Sequence, residues 1–274
     1  MNYLLKNVNN MPKISVLMSA YNAEKYIAEA IDSVLSQSFS DFEFIIINDG
    51  STDQTEAIVK KYQDERIRYF FQENTGLSKA LNYGLKLSEG KYIARLDADD
   101  ICYPNRLELQ YDFMKSNPDF VLCGSYTDVI DENGNFIYTF NNIPNSNLEI
   151  QLEMQNKNCV VHSSSFYRKD AAIKIGGYYE PIRQHFEDYM FFSNLIKSGK
   201  VFNFDFPLIK YRVTPGSITT RTSNKSYEKL VKDVISRGYI TDEEKVILFS
   251  YKAKKSKKNL KLSNHNLALS RLIL

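Results

Sequence analysis

The sequence predicts an α/β protein: a mostly parallel sheet covered by helices, followed by a short C-terminal helical tail. Three observations carry that prediction. Short apolar runs alternate with helical periodicities four times in the first hundred residues, the pattern of strands joined by crossover helices. Several runs are apolar almost throughout, as in strands covered on both faces. Three of them end at polar or acidic residues, at 19–22, 48–53 and 97–100, and the carboxyl ends of parallel strands are where such sheets bind ligands.

Taken in order, residues 14–19 (ISVLMS) read as a buried strand, and Ile27, Ala30, Ile31, Val34 and Leu35 recur at helical spacing. Residues 42–48 (FEFIIIN) form the second strand, the most apolar segment of the chain. Asp49-Gly50-Ser51 breaks it, and Ser51 or Thr52 is expected to cap a helix running to about residue 62. Residues 67–71 are a third strand. Asn74-Thr75-Gly76 then turns into a helix carrying Leu77, Ala80, Leu81 and Leu85. Residues 92–96 are the fourth strand, ending at Asp97-Ala98-Asp99-Asp100. Beyond it the pattern predicts a helix at 104–114, strands at 120–130, 136–140 and 160–167, a helix at 187–196 stopped by Gly199, and strands at 201–206 and 208–213. A Ser- and Thr-rich linker at 217–226 and two helical patterns close the chain.

At 274 residues, with 43% hydrophobic and 25% charged residues, the chain can bury a full core without staples. Disorder, collagen and small disulfide scaffolds are excluded. The net charge is +2, but the eight Lys and Arg from Lys245 onward meet no acid, so the preceding body carries −6. Cys102, Cys123 and Cys159 are odd in number and lack metal-ligand spacing, which fits a reducing compartment. No stretch approaches the ~18 apolar residues of a membrane span, and the first twelve residues do not read as a signal peptide. These features predict a cytoplasmic protein, or one that touches a membrane only from the side.

Asp97-Ala98-Asp99 is the sharpest chemical feature. Two carboxylates one residue apart at a strand end can converge on a hard cation such as Mg²⁺ or Mn²⁺, which in turn bridges a diphosphate. The competing reading is a solvated acidic turn. No G-x-G-x-x-G follows the first strand and no phosphate-binding P-loop occurs, so a nucleotide here would be held by side chains and a metal.

The run ISVLMSAYNAEKYIAEAIDSVLSQSFSDFEFIIINDGSTDQT, then ENTGLSKALNYGL, GKYIARLDADD with Pro104 and Arg106, and Phe186-Glu187-Asp188 resemble, in order, the family 2 glycosyltransferases of the GT-A fold. The resemblance spans residues 14 to about 217. It implies a GT-A domain over 1–217, with a nucleotide-binding half at about 12–100 and an acceptor half at 101–217, followed by a linker and basic helical tail at 218–274.

By that resemblance Ser19, Ala20 and Tyr21 line the nucleobase pocket, Glu24 lies nearby, and Asp49 accepts a hydrogen bond from the base, usually uracil. Lys79 and Asn82 fall on the donor-facing helix. Asp97, Ala98 and Asp99 form the metal-binding motif, with Asp99 the direct ligand of Mn²⁺ or Mg²⁺, and Asp188 is the general base. The implied reaction is inverting transfer of a hexosyl or N-acetylhexosaminyl group from a nucleotide-sugar donor, UDP-linked, to a glycan or lipid-linked acceptor in bacterial surface-polysaccharide biosynthesis (capsule or lipopolysaccharide). A catalytically idle nucleotide- or glycan-binding subunit is the alternative, which Asp97, Asp99 and Asp188 together oppose. A sugar nucleotidyltransferase would want a glycine-rich loop after the first strand, and Ser19-Ala20-Tyr21-Asn22 is not one.

Each residue also has a plainer reading: Tyr21 as core, Asp49 and Asp53 as helix caps, Glu187 and Asp188 as first-turn acids, His162 as a structural histidine, and Arg106 as a partner of the acidic loop. Three positions depart from the family pattern. Ser163 stands where Pro often follows the histidine, Leu81 where relatives often show Arg, and Thr214 where relatives often place a further metal ligand. In the tail, Lys252, Lys254, Lys255, Lys257, Lys258 and Lys261 precede a run of leucines. Peripheral contact with an anionic membrane face and packing on the body or a second subunit are both consistent with it. Nucleic acid is not an expected partner, since the body shows no basic or aromatic binding face.

Overall fold

The computed structural model describes residues 11–182, 186–214 and 225–250. The strands are β1 (Ile14–Ala20), β2 (Phe42–Asp49), β3 (Ile67–Gln72), β4 (Tyr92–Arg95), β5 (Ile101–Cys102), β6 (Phe120–Ile130), β7 (Phe136–Phe140), β8 (Phe166–Arg168) and β9 (Lys200–Arg212). The helices are α1 (Ile27–Leu35), α2 (Thr55–Val59), α3 (Leu77–Leu87), α4 (Arg106–Ser116), α5 (Asn147–Glu153), α6 (Lys169–Lys174), α7 (Glu187–Leu195), α8 (Lys225–Arg237) and α9 (Asp242–Ser250). They form one mixed sheet in the order β3-β2-β1-β4-β8-β6-β9-β5, with β7 added beside β6.

The parallel part is the first four strands, where β1 pairs with both β2 and β4, and β2 with β3. All eight residues of β2 are buried, because the sheet is covered on both faces. Val16 and Met18 of β1 and Phe44 and Ile46 of β2 share a core with Ile27, Ala30, Ile31 and Val34 of α1. The alternate residues Leu17, Ile45 and Ile47 point the other way, onto Ala80, Leu81 and Leu85 of α3. The 3.6-residue stripe of each helix thus meets one phase of the two-residue strand period. This packing brings the carboxyl ends of β1, β2 and β4 to one edge.

The second half departs from the parallel pattern: β8 runs antiparallel to β4 and β6, β5 antiparallel to β9, and only β6 and β9 are parallel. Residues 160–167 are not one strand. The chain curls through a 3-10 turn at His162–Ser164 before β8, because the Ser164 hydroxyl donates to the Val161 carbonyl at 2.9 Å and that of Ser165 to the His162 carbonyl at 2.7 Å. The two strands expected at 201–206 and 208–213 are a single β9, in which the ladder shifts register around Tyr126 to admit Pro207. The helix after β2 is one short turn, α2, and neither Ser51 nor Thr52 caps it. The Asp53 carboxylate accepts from the Thr55 backbone N–H at 3.0 Å instead.

Cys102, Cys123 and Cys159 are buried free thiols. Most of the expected linker, and the lysines of the tail, lie outside the described residues. Helix α8 buries Tyr227, Val231, Val234 and Ile235 in the same core as α3 and α7. It is therefore packed on the body, in a region expected to be a separate tail.

Candidate active site

The loops after β1 and β2 are braced against each other. Backbone N–H groups of Asn22, Ala23 and Glu24 donate to Ser51, Thr55 and Asp53 side chains at 3.0, 2.8 and 3.0 Å. In return Thr52 N–H donates to Asn22 Oδ1 at 2.8 Å and Gln54 N–H to Glu24 at 2.9 Å. Asn22 sits at φ 50°, a left-handed conformation that Asn tolerates. The brace employs the Glu24 carboxylate and presents Tyr21 outward, 54% exposed, so Tyr21 is not core. Ser19 is half-buried and Ala20 buried at the end of β1.

Asp49 is buried at the end of β2. Its Oδ1 accepts from Gln72 Nε2 at 2.6 Å and Thr75 N–H at 2.9 Å, and its Oδ2 from Gly76 N–H at 2.9 Å. It therefore fixes the turn that opens α3. On that helix Lys79 is half-buried and forms no ion pair among the described residues. The Asn82 amide is spent on Tyr178, donating to its carbonyl and accepting from its N–H, both at 2.8 Å.

The loop after β4 is tied at nearly every point. Arg95, fully buried, places both terminal nitrogens on the Asp97 carboxylate. Ser163 donates to Asp97 Oδ2 at 2.8 Å and accepts from Asp97 N–H at 3.1 Å and Arg95 Nη1 at 3.0 Å. Burial alone would raise the Asp97 pKa, but the adjacent Arg95 charge outweighs it and holds the group below its ordinary value. Arg212 donates through Nε to the Asp99 carbonyl at 2.9 Å and through its N–H to Asp100 Oδ1 at 2.8 Å. No other residue described donates to the Asp99 carboxylate. Burial and the neighbouring Asp97 charge push its pKa up to about 7.

The expected role of Arg106 is corrected. Its guanidinium reaches no carboxylate but donates to the backbone carbonyls of Arg95 at 2.7 Å and Ser165 at 3.2 Å, so it supports the loop from behind.

Asp188 lies in the first turn of α7, after Phe186 at φ 66°. It is half-buried and accepts from Asn158 Nδ2 at 2.9 Å and from Tyr189 N–H at 2.7 Å. Burial lifts its pKa to about 6, with Asp97 adding to the rise and Arg95 opposing it, so the base candidate and the acidic loop lie within one electrostatic field. Next to it Glu187 is buried with Oε2 unpartnered, and burial and the Asp188 charge push it up to about 8. His162 is buried and held neutral, chiefly by burial, with Nε2 2.9 Å from the Tyr178 hydroxyl. That is the structural reading.

Sequence reasoning missed Arg95, Ser163, Arg212 and Asn158. Arg95 had a local signal, at the end of β4 two residues before Asp97; the others reach the site from distant segments. A cavity of about 630 Å³ between the residues after α5 and helix α8, lined by Glu153, Lys157, Lys232 and Asp233, shares no residue with the strand-end loops.

Among the described residues no group of three or more His, Cys, Asp or Glu is placed to hold a metal. One oxygen ligand with no outside donor, Asp99, fits a hard divalent cation that keeps waters and phosphate oxygens. Asp97 has both oxygens on Arg95 and one also on Ser163.

A parallel β3-β2-β1-β4 half with a D-x-D loop at its carboxyl edge is the architecture of the GT-A class of sugar-transferring enzymes. Residues 15–176 match the family described as Glycosyl transferase family 2, and the chain belongs to that family. An uncharacterized glycosyltransferase of Methanocaldococcus jannaschii is 36% identical over 209 residues, 74% of this chain and 71% of that one. The O-antigen biosynthesis glycosyltransferase WbnJ of Escherichia coli is 39% identical over 168 residues, 60% of this chain and 65% of that one. A glycosyltransferase of Rickettsia bellii is 44% identical over 131 residues, and the match spans only 19% of its length. In fold, Staphylococcus aureus TarS 1-349 in complex with UDP-GlcNAc aligns with TM-score 0.67 at 20% identity, covering 87% of this chain and 70% of that one.

Proposed function

We propose that this glycosyltransferase is an inverting enzyme that moves a hexosyl or N-acetylhexosaminyl group from a UDP-linked sugar to a hydroxyl of a glycan or lipid-linked glycan, in building a bacterial surface polysaccharide. The observation that carries the reading is the presence together of Asp99, whose carboxylate has no donor from another described residue, and a half-buried Asp188 whose pKa the Asp97 and Arg95 charges both move. The names of relatives support the substrate class: TarS was solved with UDP and with UDP-GlcNAc, and WbnJ is named for O-antigen biosynthesis.

In this reading residues 12–100 hold the donor and 101–217 the acceptor. Tyr21, with Ser19, Ala20 and Glu24 beside it, faces the base; Asp49 and Lys79 border the donor, and Asn82 holds α3 in place beneath it. Asp99 would hold Mn²⁺ or Mg²⁺, whose charge offsets that developing on the diphosphate. Asp188 accepts the proton of the acceptor hydroxyl, whose oxygen bonds to the anomeric carbon as the bond from that carbon to the diphosphate breaks. A single displacement from the far side inverts the centre, and the nucleoside diphosphate leaves with the bonding electron pair. No helix among the described residues is long and apolar enough to cross a membrane. The basic tail, Lys252 to Lys261, would bring the enzyme to the cytoplasmic face of an anionic membrane carrying a lipid-linked acceptor.

The test is turnover with a panel of UDP-sugars and lipid-linked acceptors, followed by product NMR. The proposal expects an anomeric configuration opposite to the donor's. A retained configuration, or transfer that survives Asp188→Asn at near-normal rate, would refute it.

A further inference from the structure

The segment after α6 is stitched to α3 through two buried side chains. Asn82 Nδ2 donates to the Tyr178 carbonyl and Asn82 Oδ1 accepts from the Tyr178 N–H, both at 2.8 Å. Nδ2 also lies 3.3 Å from Glu180 Oε1. One turn earlier on α3, the Ser78 hydroxyl donates to the Ile182 carbonyl at 2.7 Å. Gly177, at φ 74°, permits the close approach, since a Cβ there would stand 2.4 Å from Asn82 Oδ1.

What this clamp fixes is the Tyr178 ring. The ring is buried and stacks on Phe191, with centroids 4.1 Å apart and planes 9° from parallel. Its hydroxyl lies 2.9 Å from His162 Nε2. Phe191 stands three residues beyond Asp188 on α7, so the two side chains are neighbours on that helix. Burial raises the Tyr178 pKa well above its ordinary value and the Tyr167 and Asp188 charges add to the rise, so the hydroxyl and the Asp188 carboxylate share one field. A close-packed interior transmits strain, so a ring that moves carries the helix resting on it.

We propose that Asn82 is a positioning residue for Asp188: by holding both backbone groups of Tyr178 it sets the ring on which Phe191 rests, and so the place of α7 and its carboxylate. The proposal rests on the reading of Asp188 as the base and adds to it the residues that keep the base in line. Asn82 therefore serves the acceptor step from a helix that borders the donor, and touches neither sugar nor nucleotide. Ser78 supports the same segment from one turn earlier.

The experiment uses the full chain and the UDP-sugar it turns over fastest among UDP-glucose, UDP-galactose, UDP-GlcNAc and UDP-GalNAc, with water as the acceptor. It reads kcat from UDP release, UDP affinity by calorimetry and melting temperature by circular dichroism. Asn82→Ala should lower kcat by about 10–100-fold, the cost of a base displaced by a fraction of its reach, with UDP affinity unchanged. Ser78→Ala, which removes only a hydroxyl from the same clamp, should show the same split at smaller size, and it decides the matter if Asn82→Ala does not fold. Met114→Ala, in the core on the opposite face of the sheet, should lower the melting temperature and leave kcat as it is. Unchanged kcat in the clamp variants would overturn the proposal. So would a loss that falls on UDP affinity with kcat kept, which would make Asn82 a donor contact, or an equal loss of kcat in Met114→Ala. Wild type that released UDP from none of these donors, or Asp188→Asn as fast as wild type, would overturn the functional reading itself, a result distinct from the others.

Discussion

At the scale of single residues, the proposed reaction turns on a proton held by Asp188. Burial raises its pKa to about 6, so the carboxyl is protonated and idle below that pH and becomes a base above it. The kcat/KM of the wild type should therefore rise with pH from about 6, as Asp188 ionises, to about 7, as Asp99 does, and level off above, measured by UDP release across a buffer series. Asp188→Asn should lower turnover by roughly 10²–10⁴-fold, the usual contribution of a positioned base, with donor affinity unchanged. Glu187 acts on stability with the opposite sign to an ion-paired acid. Its folded pKa of about 8 lies above the ordinary 4.5, so between those values the folded protein holds a proton that the unfolded chain has released. Stability then falls as pH rises through that window. Thermal melts of Glu187→Gln should lose part of that slope; an unchanged slope would remove Glu187 as its source.

At the scale of elements, the two halves of the sheet show what the sequence could disclose. β1, β2 and β4 are apolar runs joined to helices with a clean stripe, so local pattern and burial agree, and their ends point to the 97–100 loop directly. The 160–167 segment looks equally strand-like, but serine hydroxyls bond back to the chain and curl it. The short helices α5 and α6 carry too few turns for a periodicity to stand out. The site divides along the same line. Asp97, Asp99 and Asp188 were legible as motifs, whereas Ser163 and Asn158 reach them across 66 and 30 positions of sequence, where no local spacing speaks.

Gly50 tests the loop architecture. At φ 74° its backbone is one that side chains rarely adopt, and a Cβ there would stand 2.6 Å from the Asn74 backbone N. Gly50→Ala should cost about 1–3 kcal/mol in a denaturant melt, since backbone and not a movable side chain blocks it. It should also weaken donor binding, because the turn it displaces is the one Asp49 holds.

At the scale of the whole molecule, helix α8 packs into the main core of the body. Tyr227, Val231, Val234 and Ile235 of α8 are each at most 9% exposed in the main core. Burying one such side chain is worth about 1.5–3 kcal/mol, and a domain has only about 5–15 kcal/mol of net stability. A chain ending at residue 214 should therefore be insoluble or unfolded, whereas one ending at 250 should melt close to the full-length protein. A well-folded, cooperative 1–214 fragment would refute that account of α8.

The most direct test of the central claim is calorimetric titration with UDP-sugars in the presence of Mn²⁺, on wild type, Asp99→Asn and Asp188→Asn in parallel. The account predicts that wild type and Asp188→Asn bind the donor with equal affinity, while Asp99→Asn does not bind it. Binding untouched by Asp99→Asn, or lost with Asp188→Asn, would contradict the assignment of donor and base to these two carboxylates.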